Sequence, residues 1–242
     1  MIRKSVQRFS DKIMPKQEAK AGMAYREFIS LIHTSTKRDY LARVTQRDKA
    51  EVAELAVKYD YDYWDGNRET GYGGYKYDGR WRKVADAMVA AYGLKPGMRV
   101  LDVGSGKGFL LHDFTESLPG IEVAGIDISS YGVAHTMESI KSFCQVGSAA
   151  KLPYPDNHFD LVISINTLHN LYNYELHEAF REIERVSRGA KYICVEAYRS
   201  EREKMNLMYW QLTCRIFHTP AEWDYEFKQT GYAGDHEFIF FV

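Results

Sequence analysis

From residue 83 onward, short apolar runs alternate with segments whose apolar residues recur every three or four positions. This is the pattern of strands alternating with amphipathic helices. Residues 84–92 read as a helix, closed by Gly93 and a turn at Lys95-Pro96-Gly97, and 99–103 as a buried strand. A helix over 109–118, a strand over 122–127, a helix around 131–141 and a short strand over 143–146 follow. Then come a strand at 159–165, a helix at 174–186, a strand at 191–196, a helix at 220–229 and a last strand at 236–242. The alternation predicts an α/β protein with a doubly wound, mainly parallel sheet and a binding crevice at the carboxyl ends of its strands.

The first third differs. Residues 1–20 form a charged extension, with Met14 and Met23 as alternative starts. In 24–57, Phe28, Leu31, Ile32, Val44, Val52, Leu55 and Ala56 are spaced as in helices. Residues 58–81 are aromatic and glycine-rich, with Tyr59, Tyr61, Tyr63, Tyr72, Tyr75 and Tyr77 around Gly66, Gly71, Gly73 and Gly74. That composition suits an ordered loop. The expected division is 1–82, a helical cap with an aromatic lid, and 83–242, the α/β domain.

Charge narrows the partners. With 32 Lys+Arg against 33 Asp+Glu, the chain lacks the basic excess of a general nucleic-acid binder. Cys144, Cys194 and Cys214 form no CxxC pair, which argues against a disulfide framework or a cysteine zinc site and for a reducing compartment. No apolar stretch reaches the ~20 residues of a membrane span, and residues 1–20 lack the apolar core of a signal peptide. A cytoplasmic protein with no membrane partner is expected.

The chemistry starts at Asp102-Val-Gly104-Ser-Gly106-Lys-Gly108, directly after the first strand. A dinucleotide fingerprint would need glycine at Phe109, and a Walker A loop would need glycine at Leu101 and Ser or Thr at Gly108. An acid followed by G-x-G-x-G resembles the first motif of the class I (Rossmann-like) S-adenosylmethionine (SAM) methyltransferases. Three further elements stand in that family's order: Gly125-Ile-Asp127-Ile-Ser129, the run from Gly147 through Ser148 and Pro153 to Asp156, and the run from Phe159 through Asn166 to Leu171. The resemblance covers about residues 83–230.

The resemblance implies SAM as cofactor and a seven-stranded-type sheet. Too little chain follows Gly231 for the family's usual antiparallel pair, so a shortened edge is expected, with 208–217 a substitute strand or a helix. Gly104, Gly106 and Gly108, with Ser105, would pass under the methionine and ribose. Asp127 would accept both ribose hydroxyls, with Ile128, Ser148 and Ala149 beside the adenine. Asn166 and Asp102 would hold or orient the methionine amine.

A hydroxyl acceptor usually needs a base. His169, three residues past Asn166, is the candidate, with packing against the cofactor or capping of a helix as the alternative. Tyr75, with Tyr72, Tyr77, Arg80 and Trp81, would close over the cofactor and acceptor, or else pack the cap onto the sheet. Glu196, Tyr198, Arg199, Asn206, Tyr209 and Trp210 follow the fifth strand, where acceptor choice is shaped in the family. Arg80 and Arg199 hint at an anionic acceptor. The absence of N-P-P-Y after the fourth strand disfavours amide and nucleobase nitrogens. The expected function is SAM-dependent methylation of a polar small molecule, at oxygen in a sugar or natural-product precursor. An N-methyltransferase on a small amine and a catalytically silent SAM-binding or partner-binding protein are the alternatives.

Overall fold

The computed structural model describes residues 23–34 and 38–242; the charged extension over residues 1–20 lies outside them. Six strands form one sheet: β1 (Arg99–Val103), β2 (Glu122–Asp127), β3 (Cys144–Val146), β4 (Phe159–Ile165), β5 (Ser187–Glu196) and β6 (Asp235–Ile239). Their order is β3-β2-β1-β4-β5-β6 and every pairing is parallel. Parallel strands need crossover helices, which cover both faces. On one face α5 (Arg82–Tyr92) and α6 (Phe109–Ser117) pack Val84, Met88 and Phe114 against Val100, Leu161 and Ile163. On the other, α8 (Asn173–Val186) and α10 (Pro220–Thr230) bring Phe180, Trp223 and Phe227 against Leu101, Val103 and Val162. Adjacent strand residues thus serve opposite faces, as the pleat requires. The chain leaves β1 for β2 on one side and reaches β4 on the other, so the switch point lies between the ends of β1 and β4.

Most expected elements stand where the apolar pattern puts them, with four departures. The helix expected over 131–141 breaks into α7 (Ser130–Ala134) and a 3-10 turn (Glu138–Phe143). Between them the Met137 N–H turns aside to the Lys107 carbonyl (3.2 Å), tying this segment to the glycine loop. The helical stretch expected over 24–57 divides into α1 (Ser30–Thr34), α2 (Ala42–Thr45) and α3 (Lys49–Ala56), and α4 (Tyr61–Trp64) follows in the aromatic segment. Residues 208–217 contain the end of α9 (Glu201–Trp210) and then no regular element, so they supply no strand. The antiparallel edge is also absent among the described residues: β6 is parallel to β5. Its outer side is met by residues 24–26, where the His236 N–H donates to Ala24 and the Arg26 N–H to His236.

A buried carboxylate locks that junction. Glu237 on β6 accepts the N–H groups of Phe28 (2.6 Å), Ile29 (2.9 Å) and Ser30 (2.6 Å), the first donors of α1, and the Tyr192 hydroxyl. Alanine there orphans several buried donors, each costing about 1–3 kcal/mol. Glu237→Ala is therefore expected to lose about 2–5 kcal/mol in urea unfolding, with amide exchange rising first at residues 28–30. Unchanged exchange there would refute the anchoring role. Among the described residues, no helix is long and apolar enough to cross a membrane.

Candidate functional site

Three cavities open at the carboxyl ends of the strands, of about 260, 250 and 60 Å³. All three are lined by Asn166 and Tyr72, so they meet at the end of β4 under the aromatic segment. Asn166 holds a left-handed backbone, φ 55°, which few side chains other than Asn and Asp tolerate. The bend sends the chain out of β4 across the crevice.

The 250 Å³ cavity contains Gly104, Asp127, Ile128, Ser148, Ala149 and Asn166, six of the expected cofactor residues. Each follows a strand end, where the loops of a doubly wound sheet converge. The Asp127 carboxylate takes the Gly106 N–H on Oδ2 (2.7 Å) and the Ser129 N–H on Oδ1 (2.8 Å). These bonds aim it while leaving each oxygen a second lone pair. The Ser148 hydroxyl accepts the Ala150 N–H (3.1 Å), a turn contact that coexists with its place on the wall.

The 60 Å³ cavity is walled by Asp102, Gly104, Ser105, Gly106, Tyr75 and Asn166. Asp102 is buried, and burial followed by repulsion from Asp127 pushes its pKa up to about 8. The buried Ser105 hydroxyl has no partner among the described residues. An elevated acid and an orphaned hydroxyl suit a ligand that brings a cation or a donor, and the neighbouring Asp127 suits a vicinal diol. Gly108 lines none of these three cavities. It opens α6, and a Cβ there would lie 2.4 Å from Ile140 Cδ1.

The aromatic segment is docked over this cradle. Buried Lys107 donates to Asp65 (2.6 and 2.7 Å) and to the Tyr75 carbonyl (3.0 Å). Trp64 Nε1–H donates to Ser129 Oγ (2.8 Å), and its ring stands over Gly106, where a Cβ would come within 2.7 Å. Tyr72 stacks on Trp64 (5.4 Å) and Tyr75 on Phe109 (4.8 Å). Tyr75 lines two cavities and its hydroxyl accepts the Trp81 indole N–H (3.2 Å). Burial holds its phenol far above neutrality, so it stays a donor and not a base. Lys107 escaped the sequence reading because its partner Asp65 lies 42 residues away.

The 260 Å³ cavity has His169 and Glu196 on its floor, both 2 % exposed. The Glu196 N–H can only donate, so His169 Nδ1, 3.3 Å away, accepts and Nε2 carries the hydrogen. That Nε2 lies 3.4 Å from Glu196 Oε2. Burial lowers the imidazole pKa to about 3. Both His169 nitrogens face Glu196, and the Nδ1 lone pair is taken by the Glu196 N–H. Burial outweighs the Gln211 hydrogen bond and the Arg38 charge, raising the Glu196 carboxyl to about 8, and its Oε2 faces His169 Nε2 at 3.4 Å.

Three expected substrate residues stand elsewhere. The Tyr77 hydroxyl donates to Asp113 (2.6 Å), outside all three cavities. Arg199 pairs with Glu203 one turn along α9 and covers the Phe240 ring, and Tyr198 packs beside Lys204. Neither lines any of these three cavities. Arg80 does line the largest cavity but is already paired with Asp78 (2.5 Å). Trp210 lines that cavity as well.

A family model described as a methyltransferase domain matches residues 94–231. A demethylmenaquinone methyltransferase of Symbiobacterium thermophilum is 34% identical over 128 residues, covering 49% of this chain and 50% of that protein. The ubiquinone/menaquinone biosynthesis C-methyltransferase UbiE of Shewanella oneidensis is 30% identical over 131 residues, covering 50% and 51%. The chain spans about half the length of these curated relatives. Phosphoethanolamine N-methyltransferase 2 of Haemonchus contortus, solved with phosphomonomethylethanolamine and S-adenosylhomocysteine, shares the fold. Its TM-score is 0.51 at 23% identity, covering 80% of this chain and 44% of that one.

Proposed function

This chain belongs to the class I S-adenosylmethionine-dependent methyltransferases, and we propose that it methylates an oxygen of a polar small molecule. The observation that carries the reading is the junction of a cofactor-shaped cradle with a cavity floored by Glu196, meeting at Asn166 and Tyr72. When bound, SAM supplies a methyl group already activated on a sulfonium.

The chain's residues do the rest. Asp127 accepts the ribose hydroxyls, while Ile128, Ser148 and Ala149 flank the adenine. Asp102 and Asn166 hold the methionine amine, and a cation beside Asp102 draws its elevated pKa down. Tyr72 and Tyr75 exclude water from the junction. Glu196 takes the proton of the acceptor hydroxyl, with His169 as its positioning residue. A small-molecule partner and a cytoplasmic location belong to the same reading. Methylation at carbon is the second reading, favoured by the name of the C-methyltransferase UbiE among the relatives. Glu196 would then take the proton from carbon.

Asp127→Ala is expected to weaken SAM binding by about 1.5–3 kcal/mol, roughly ten- to 150-fold, with the fold intact. Calorimetry decides it, and an unchanged affinity in a folded variant refutes the ribose site. Methyl-labelled SAM with metabolite extract tests the reaction: the label should appear on oxygen. Label on nitrogen, or no S-adenosylhomocysteine beyond that formed without extract, would overturn the proposal.

A further inference from the structure

The cavity over Glu196 is lined by five cationic side chains, Arg38, Arg43, Arg68, Lys76 and Arg80, against two carboxylates, Asp78 and Glu196. Asp78 is spent on Arg80. Arg38, Arg43 and Arg68 gather on the Trp210 ring, 5.4, 5.2 and 5.6 Å from its centroid. The ring offsets part of the repulsion, yet like charges held this close in a partly desolvated site are unfavourable without an anion. Burial and then Arg68 lower the pKa of Arg43. Behind the cluster, Lys49 donates to the carbonyls of Met208 and Tyr209, and burial and Arg43 lower its pKa to about 8.

Among the described residues, the hydrogen bonds of Arg43 and Arg68 go to groups without negative charge. Arg43 donates to the carbonyls of Trp210 (3.2 Å) and Arg68 (2.7 Å), and Arg68 to the carbonyl of Tyr72 (2.9 Å). Arg38 contacts the carbonyl and ring nitrogen of His33 (3.3 and 3.2 Å). Glu69, whose charge reaches Arg43, pairs with Arg47 instead (3.3 Å). Among the described residues, neither Arg43 nor Arg68 has a carboxylate within ion-pair distance. Planar guanidinium forks of this kind match phosphate and carboxylate oxygens.

We infer that Arg43 and Arg68, with Arg38 beside them, form an anion subsite for a phosphate or carboxylate on the acceptor, whose hydroxyl end then lies over Glu196 and Asn166. The inference rests on the methyltransferase reading for the word acceptor, while the anion subsite stands on the arginines alone. It moves the anion-binding role from Arg80 and Arg199 to residues far apart in the chain.

Calorimetry of the full chain with inorganic phosphate, and separately with S-adenosylhomocysteine, tests the two layers independently. Phosphate is expected to bind with a dissociation constant of roughly 10 mM or below. Binding should weaken about ten-fold or more in Arg43→Gln and in Arg68→Gln, the latter an exposed side chain, but not in Arg199→Gln. S-adenosylhomocysteine affinity should hold in all three. No phosphate binding by the wild type, or binding indifferent to Arg43 and Arg68, overturns the subsite. Phosphate binding without S-adenosylhomocysteine binding would instead overturn the methyltransferase reading. Metabolite extract passed over an anion-exchange resin gives the ligand class. Acceptor activity should be in the retained fraction, lost to phosphatase if the anion is a phosphate ester and surviving if it is a carboxylate. Activity confined to the flow-through overturns the inference.

Discussion

Replacing Glu196 by glutamine is expected to lower turnover by roughly 10²–10⁴-fold, the share of a general base, with SAM affinity unchanged. Burial holds this carboxyl near 8, so it accepts a proton only above that pH. Turnover of the wild type should therefore rise with pH through about 8 and level off, and the step should vanish in the variant. Burial and Asp127 hold Asp102 near 8 as well, and saturating SAM should separate the two if, as proposed, a bound cation keeps Asp102 ionised. His169→Ala should move the step to higher pH without removing it, since Nε2–H favours the neighbouring carboxylate. A step that persists in Glu196→Gln would transfer the base role elsewhere.

Stability provides a second, opposite signature. A carboxyl whose folded pKa is raised keeps its proton in the native state after the unfolded chain has released it. Its contribution is complete below the unfolded value of about 4.3 and is lost as pH rises through the folded value near 8. Glu196→Gln, which cannot ionise, should escape that loss and unfold at higher urea than the wild type at pH 9. A variant slower in turnover yet more stable at alkaline pH is the mark of a functional buried acid. Loss of both activity and alkaline stability would point to a structural role.

The candidate cofactor half of the crevice is legible in the sequence because each of its parts is local. Asp102 and Gly104, Asp127, Ser148 and Asn166 follow strand ends, and an apolar run followed by a polar turn announces each in the chain. The acceptor half is assembled across the fold. Arg38, Arg43 and Arg68 come from the cap, Glu196 from the end of β5 and Trp210 from the end of α9. No local pattern links them. His169 lines the crevice, but its chemistry depends on a backbone N–H supplied by the adjacent strand β5. For Arg199 a signal was present, since Glu203 four residues on is the helical ion-pair spacing. Tyr77 had no such warning, because Asp113 lies 36 residues ahead.

Gly104→Ala is expected to weaken SAM binding by roughly 2–4 kcal/mol, about 30- to 1000-fold. Two costs combine. The residue sits at φ 90°, a conformation an L side chain rarely adopts, and its Cβ would lie 2.0 Å from Thr167 Oγ1 and 2.6 Å from Thr167 Cβ. The second contact is close to the backbone, so no rotation of Thr167 relieves it. Either the glycine loop rises or the chain after β4 retreats, and both wall the same cavity. Gly93 provides the control. It also has positive φ, 59°, as the cap of α5, but a Cβ there meets nothing within 4 Å. Gly93→Ala should therefore cost only the backbone strain, about 1 kcal/mol of stability, and leave SAM affinity unchanged. Titration of both variants with SAM, beside urea unfolding of each, separates cradle geometry from general destabilisation. Equal affinities in the two would mean that the loop over Thr167 is not the floor of the cofactor site.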